Sequence, residues 1–154
     1  MQRRHLMLAA LGGWAPAFAH HGWSSFDTGR PLYLEGTASN VRWRNPHAEL
    51  TLDVPATLKL PDDLARRAVP AQSSAVDGAG LLAKATLPTR KDKRWTLELA
   101  PLTRMEAWQV KPLQAGDRVA VVGYTFEGEK GDAVMRVEYL FVGQQAYGLR
   151  SSPA

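Results

Sequence analysis

Cysteine is absent from the chain. That excludes disulfides, thiolate metal sites and cysteine nucleophiles. Any metal has to be held by histidine, carboxylate, methionine or backbone groups. Histidine itself is scarce, with four in 154 residues. No apolar run reaches the roughly 20 residues of a membrane-spanning helix. A strong charge of one sign is missing too: the formal net charge is +4, and losing Arg3 and Arg4 would leave +2. So mild an excess gives no argument for nucleic acid. The basic stretch Arg90-Lys91-Asp92-Lys93-Arg94 is short and broken by an acid, and it reads as a solvated loop. Neither a phosphate-binding glycine loop after a strand nor a zinc-protease helix motif is present. Asp27, Glu35, Glu49 and Asp53 are scattered along strand faces, with no pairing that suggests general acid and base.

What is present begins with an export signal. Arg3 and Arg4 make a short positive segment, Leu6 to Phe18 an apolar one, and Ala17-Phe18-Ala19 a small-residue cleavage site. Residues 1–19 are therefore expected to be a signal peptide, which predicts a periplasmic protein. Arg3-Arg4-His5-Leu6-Met7 also fits a twin-arginine leader, so either export route is open.

Beyond it, strand patterns dominate. Leu32, Leu34, Gly36 and Ala38 alternate with polar or outward residues, and the apolar phase then slips to Val41 and Trp43. A phase slip inside one run predicts a β-bulge near Ser39-Asn40. Asn45-Pro46 ends the run, and the Asn45 side chain is expected to cap a turn. Further alternating strands follow around Ala48–Val54, Trp95–Leu99, Arg118–Tyr124 and Met135–Phe141, with a short helix opened by Pro101 between the third and fourth. Met105 and Met135 lie on apolar stripes and read as core, as do Trp43, Trp95 and Trp108. Three strands, the first of them bulged, then a helix and two more strands: this order predicts an all-β domain with one short helix, a five-stranded Greek-key barrel of the OB type, with an open β-sandwich as the alternative. The domain spans 20–143. An irregular insertion rich in proline and glycine occupies 56–92, in which only Asp62 to Ala68 could form a helical turn or two, and a flexible tail 144–154.

Several of these pieces resemble a family of uncharacterised exported bacterial proteins, domain of unknown function 6152. They are His20-His21-Gly22-Trp23-Ser24-Ser25-Phe26-Asp27, Leu34-Glu35-Gly36-Thr37, Trp43-Arg44-Asn45-Pro46-His47, Trp95-Thr96-Leu97-Glu98 and Ala115-Gly116-Asp117-Arg118-Val119. The family has a shorter connection where this chain carries 56–92. The resemblance implies an exported small β-domain and supplies no activity.

Function has to come from the residues. Cleavage after Ala19 would make His20 the first residue, with its amine and imidazole on one side chain and backbone able to chelate a transition metal. His21 follows at once, and His47 opens the second strand. Nitrogen ligands of this kind favour Cu(II), with Ni(II) and Zn(II) behind. The expected metal site is thus His20, His21 and His47, in a non-enzymatic protein that sequesters or delivers copper. The competing readings are an envelope module that binds another protein without metal, in which the histidines are incidental, and a copper-dependent redox enzyme.

Overall fold

The computed structural model describes residues 22–154. Its first strand, β1 (Leu32–Arg42), is long enough to serve two partners. One half pairs antiparallel with β4 (Arg118–Tyr124), from Leu32 opposite Gly123 to Thr37 opposite Arg118. The other half pairs with β2 (Glu49–Asp53), and the register jumps between Ser39 and Arg42. This is the bulge that the phase slip predicts, with Asn40 at φ 44°. β2 continues to β3 (Arg94–Glu98). β5 (Val134–Val142) runs antiparallel to β4 and parallel to β3, so the order β1-β2-β3-β5-β4-β1 closes on itself. The five-stranded barrel expected from the strand order is what forms, and the open sandwich is not.

Alternation determines what lies inside. Leu34, Leu50, Leu52, Trp95, Leu97, Val119, Val121, Met135 and Val137 point inward and are almost wholly buried. Met105 joins them from the helix α2 (Leu102–Ala107), which bridges β3 and β4 as expected. Its first turn begins at Pro101, which has no N–H to satisfy. The Leu102 N–H is met from a distance by Asn45 Oδ1, 3.1 Å away.

Two readings need correction. The insertion contains more than irregular chain. Besides the 3₁₀ turn at Leu64–Arg66, within the 62–68 stretch expected to allow one, it holds a helix, α1 (Gly78–Lys84), capped by the Asp77 carboxylate accepting from the Gly80 N–H. Leu64, Leu82 and Ala85 form a second apolar cluster with Tyr33, Val122, Tyr139 and Phe141 on the outer face of β1, β4 and β5. The reason is visible in β5, whose outward positions include the large apolar side chains of Tyr139 and Phe141, which need cover. Nor is the tail without an element. Residues Gln145–Gly148 form a sixth strand, β6, paired with the end of β5. Beyond it Ser73 N–H donates to Ser152 O and Ala154 N–H to Ala71 O, which tie the tail to the insertion. No helix among the described residues is long and apolar enough to cross a membrane.

Candidate functional site

His47 is placed by backbone pairing. The Ala48 N–H donates to Ala100 O and the Leu99 N–H to Ala48 O, so the residue before Ala48 sits at the end of the barrel where β2 and β3 meet α2. The ring is half-buried. Arg136 of β5 reaches it, with Nη2 3.3 Å from His47 Nε2. A guanidinium only donates, so Nε2 accepts and a neutral ring carries its proton on Nδ1. That is the lone-pair-bearing form a metal ligand requires.

Arg136 is itself buried, and burial pulls its pKa below the usual arginine range, opposed by the Glu98 carboxylate 3.4 Å from Nη1. Its Nε has no hydrogen-bond partner among the described residues. Facing Arg136 from the other side is Trp23, the second described residue of the chain. The Trp23 ring lies 5.1 Å from the Arg136 guanidinium and 4.2 Å from that of Arg150, and meets Tyr124 edge-on at 6.3 Å. Cation–π contacts to two arginines clamp the ring. The arm is strapped down further along: Phe26 stacks on Phe126 at 5.0 Å, and the Asp27 N–H donates to Thr125 O. The aromatic pair near the terminus therefore packs against the barrel.

Behind this clamp lies a second polar network. Glu138 is the extra residue where the β4–β5 register slips between Val122 and Gly123, and it is fully buried. It accepts from Gln72 Nε2 at 3.0 Å and from Arg150 Nε at 2.9 Å, while Gln72 Oε1 accepts from the Ser151 N–H. Tyr124, beside it, has its pKa pushed up to about 12 by burial first and by Glu138 second, so it remains a neutral phenol. Nothing in the sequence isolates Arg136, Glu138 or Gln72 from other polar residues. The one available signal is a pair of charged residues, Arg136 and Glu138, inside an otherwise apolar strand.

Of the three expected metal ligands, His47 is in this cluster. His20 and His21 lie outside the described residues, as do residues 1–19, where the signal peptide is expected. Among the described residues no three histidine, aspartate or glutamate side chains gather into a metal-binding group. Met105 and Met135 sit in the barrel core, as expected, and Asn45 caps α2. Tyr33, on the far side under the insertion, donates to Glu35 at 2.6 Å, and burial raises its pKa.

No curated protein and no solved structure matches the chain. Residues 8–61 match the model of DUF6152, a family of unknown function, and this is the family that the histidine arm, the first strand and the Asn45-Pro46-His47 turn resemble.

Proposed function

We propose that this is an exported, periplasmic protein that binds a single transition-metal ion, Cu(II) before others, for sequestration or delivery. The amine and ring of His20 and the ring of His47 would be the ligands, with His21 beside them. The observation that supports it is the seat of Trp23 on Arg136, the same guanidinium that touches His47. His20 lies three positions before Trp23, and three residues of extended chain span roughly 10 Å. The Trp23 and His47 rings meet the same guanidinium, at 5.1 and 3.3 Å, so an arm of that length would be long enough to bring His20 towards His47.

The Arg136 contact has a consequence for binding. A metal taking Nε2 displaces the guanidinium, which keeps Glu98 as its partner. Binding also releases the proton of the amine, whose ordinary pKa is about 8, so affinity rises with pH. Protein isolated with His20 as its first residue is expected to bind one equivalent of Cu(II). A variant with one additional residue before His20, and the His47→Ala variant, are each expected to bind at least about tenfold more weakly. Copper titration followed by visible absorption and electron paramagnetic resonance reads this directly. Equal affinity in all three proteins would refute the proposal.

A further inference from the structure

The basic stretch 90–94 reads as solvent-facing from its sequence, and the structure gives part of it another job. Between the neck of the insertion and the barrel lies a cavity of about 270 Å³. Its floor is apolar: Leu34, Val54, Leu58, Leu87 and Trp95. Its rim carries Arg90, Lys91, Asp92 and Lys93. This end of the barrel is not that of the Trp23–His47 cluster, so nothing here depends on a metal.

The wall is held rigidly. The Val54 N–H donates to Lys93 O, closing the neck of the insertion. Arg90 lies over the Trp95 ring at 5.4 Å and donates to Glu129 O and Gly131 O. The Glu129 carboxylate accepts from the Thr89 and Arg90 N–H groups. The charge on the rim is not balanced. Arg90 is paired with Asp92 at 2.6 Å, while neither lysine side chain forms an ion pair with any described residue. An apolar floor under two uncompensated ammonium groups is complementary to a molecule with an apolar body and one anionic head.

We infer that this cavity is a binding site for a small amphiphilic anion, a medium-chain carboxylate in size and chemistry. The body displaces water from the partly exposed Val54, Leu58 and Leu87, and the head is met by Lys91 and Lys93. Preformed walls lower the ordering cost of binding. Because the head lies at an open rim, salt screens its share of the affinity.

Calorimetric titration of the full protein with octanoate, octylamine and acetate tests this. Octanoate is expected to bind one equivalent with a Kd of about 0.1–1 mM. Octylamine and acetate are each expected to bind at least about tenfold more weakly, one for lack of the negative head and the other for lack of the body. Lys91→Glu combined with Lys93→Glu, both at exposed positions, is expected to fold normally by circular dichroism and to lose octanoate binding by at least about tenfold. The inference is overturned if octanoate does not bind up to about 10 mM, if octylamine or acetate binds as well as octanoate, or if the folded double variant keeps its affinity.

Discussion

Glu129 shows how one side chain can join three segments. It stands at φ 54°, in the left-handed region that few residues other than glycine occupy easily, just after Gly128 at φ 65°. Its carboxylate nonetheless collects the Thr89 and Arg90 N–H groups and Arg30, so the arm, the insertion and the β4–β5 turn meet on one residue. Burial would raise its pKa, but the two backbone donors and Arg30 outweigh that and hold the carboxyl below the ordinary glutamate range. The sign follows from linkage. A carboxyl whose folded pKa is depressed stabilises the protein above its unfolded pKa, near 4.3, and loses that contribution as pH falls through the folded value. Thermal unfolding of Glu129→Gln is expected to occur at lower temperature than wild type at pH 7, by on the order of 3 kcal/mol in stability. The gap should narrow below about pH 4. A gap independent of pH would show that the charge contributes nothing.

Arg136 belongs to the same scale. A buried guanidinium is costly unless it is paired, and here Glu98, His47 and the Trp23 face surround it. The residue thereby connects the N-terminal arm to the only described histidine. His47 was legible in the sequence as a candidate ligand because histidine is scarce. Its neighbour was not, because Arg136 lies 89 positions away and looks like any other polar residue in an alternating strand.

Among the elements, the strands were the easiest to read. Alternation with period two is a local property, so β1 to β5, the β1 bulge and α2 all follow from short runs of neighbouring residues. What the pattern does not carry is how closely two strands approach. Gly123 of β4 faces β5 at the second register slip, and a Cβ there would overlap the Arg136 carbonyl oxygen. Gly36 of β1 meets the Asp53 carbonyl oxygen of β2 in the same way. Both glycines are there for close approach of backbones, which is what bending a sheet into a barrel requires. Gly123→Ala is expected to cost about 2 kcal/mol or more in denaturant unfolding, because backbone must move and no flexible side chain can give way. A cost under about 0.5 kcal/mol would mean that β4 and β5 are not this close.

At the scale of the molecule, the barrel has an apolar outside as well as an apolar inside. The insertion supplies the missing layer: Leu64 and Leu82 are as deeply buried as the barrel core, and Arg67 lies 5.6 Å over the Phe141 ring. β6 and the tail then fasten the insertion through Gln72 and Ser151. Two cores sharing β1, β4 and β5 should unfold as one unit. Leu82→Ala, in the insertion, and Leu50→Ala, in the barrel, are each expected to cost about 2–5 kcal/mol. Each should shift a single denaturant transition seen alike by tryptophan fluorescence and circular dichroism. A Leu82→Ala protein whose barrel transition stays at the wild-type midpoint would show that the insertion folds apart from the barrel.

The sequence by itself determined the order of the strands along the chain, the phase slip that becomes a bulge and the helix after Pro101; the pairing of β3 with β5 that closes the barrel, against an open sandwich, came from the tertiary structure. The first three depend on neighbours within a few positions, where the backbone's own geometry imposes the period. Only the tertiary structure decided that residues 56–92 form a second layer, that the tail adds a strand, and that Gln72 meets Glu138 across 66 positions. Such pairings depend on which polar group a distant segment brings to a buried spot, and on the penalty for leaving that group unmatched. Neither is written in the local pattern of either segment.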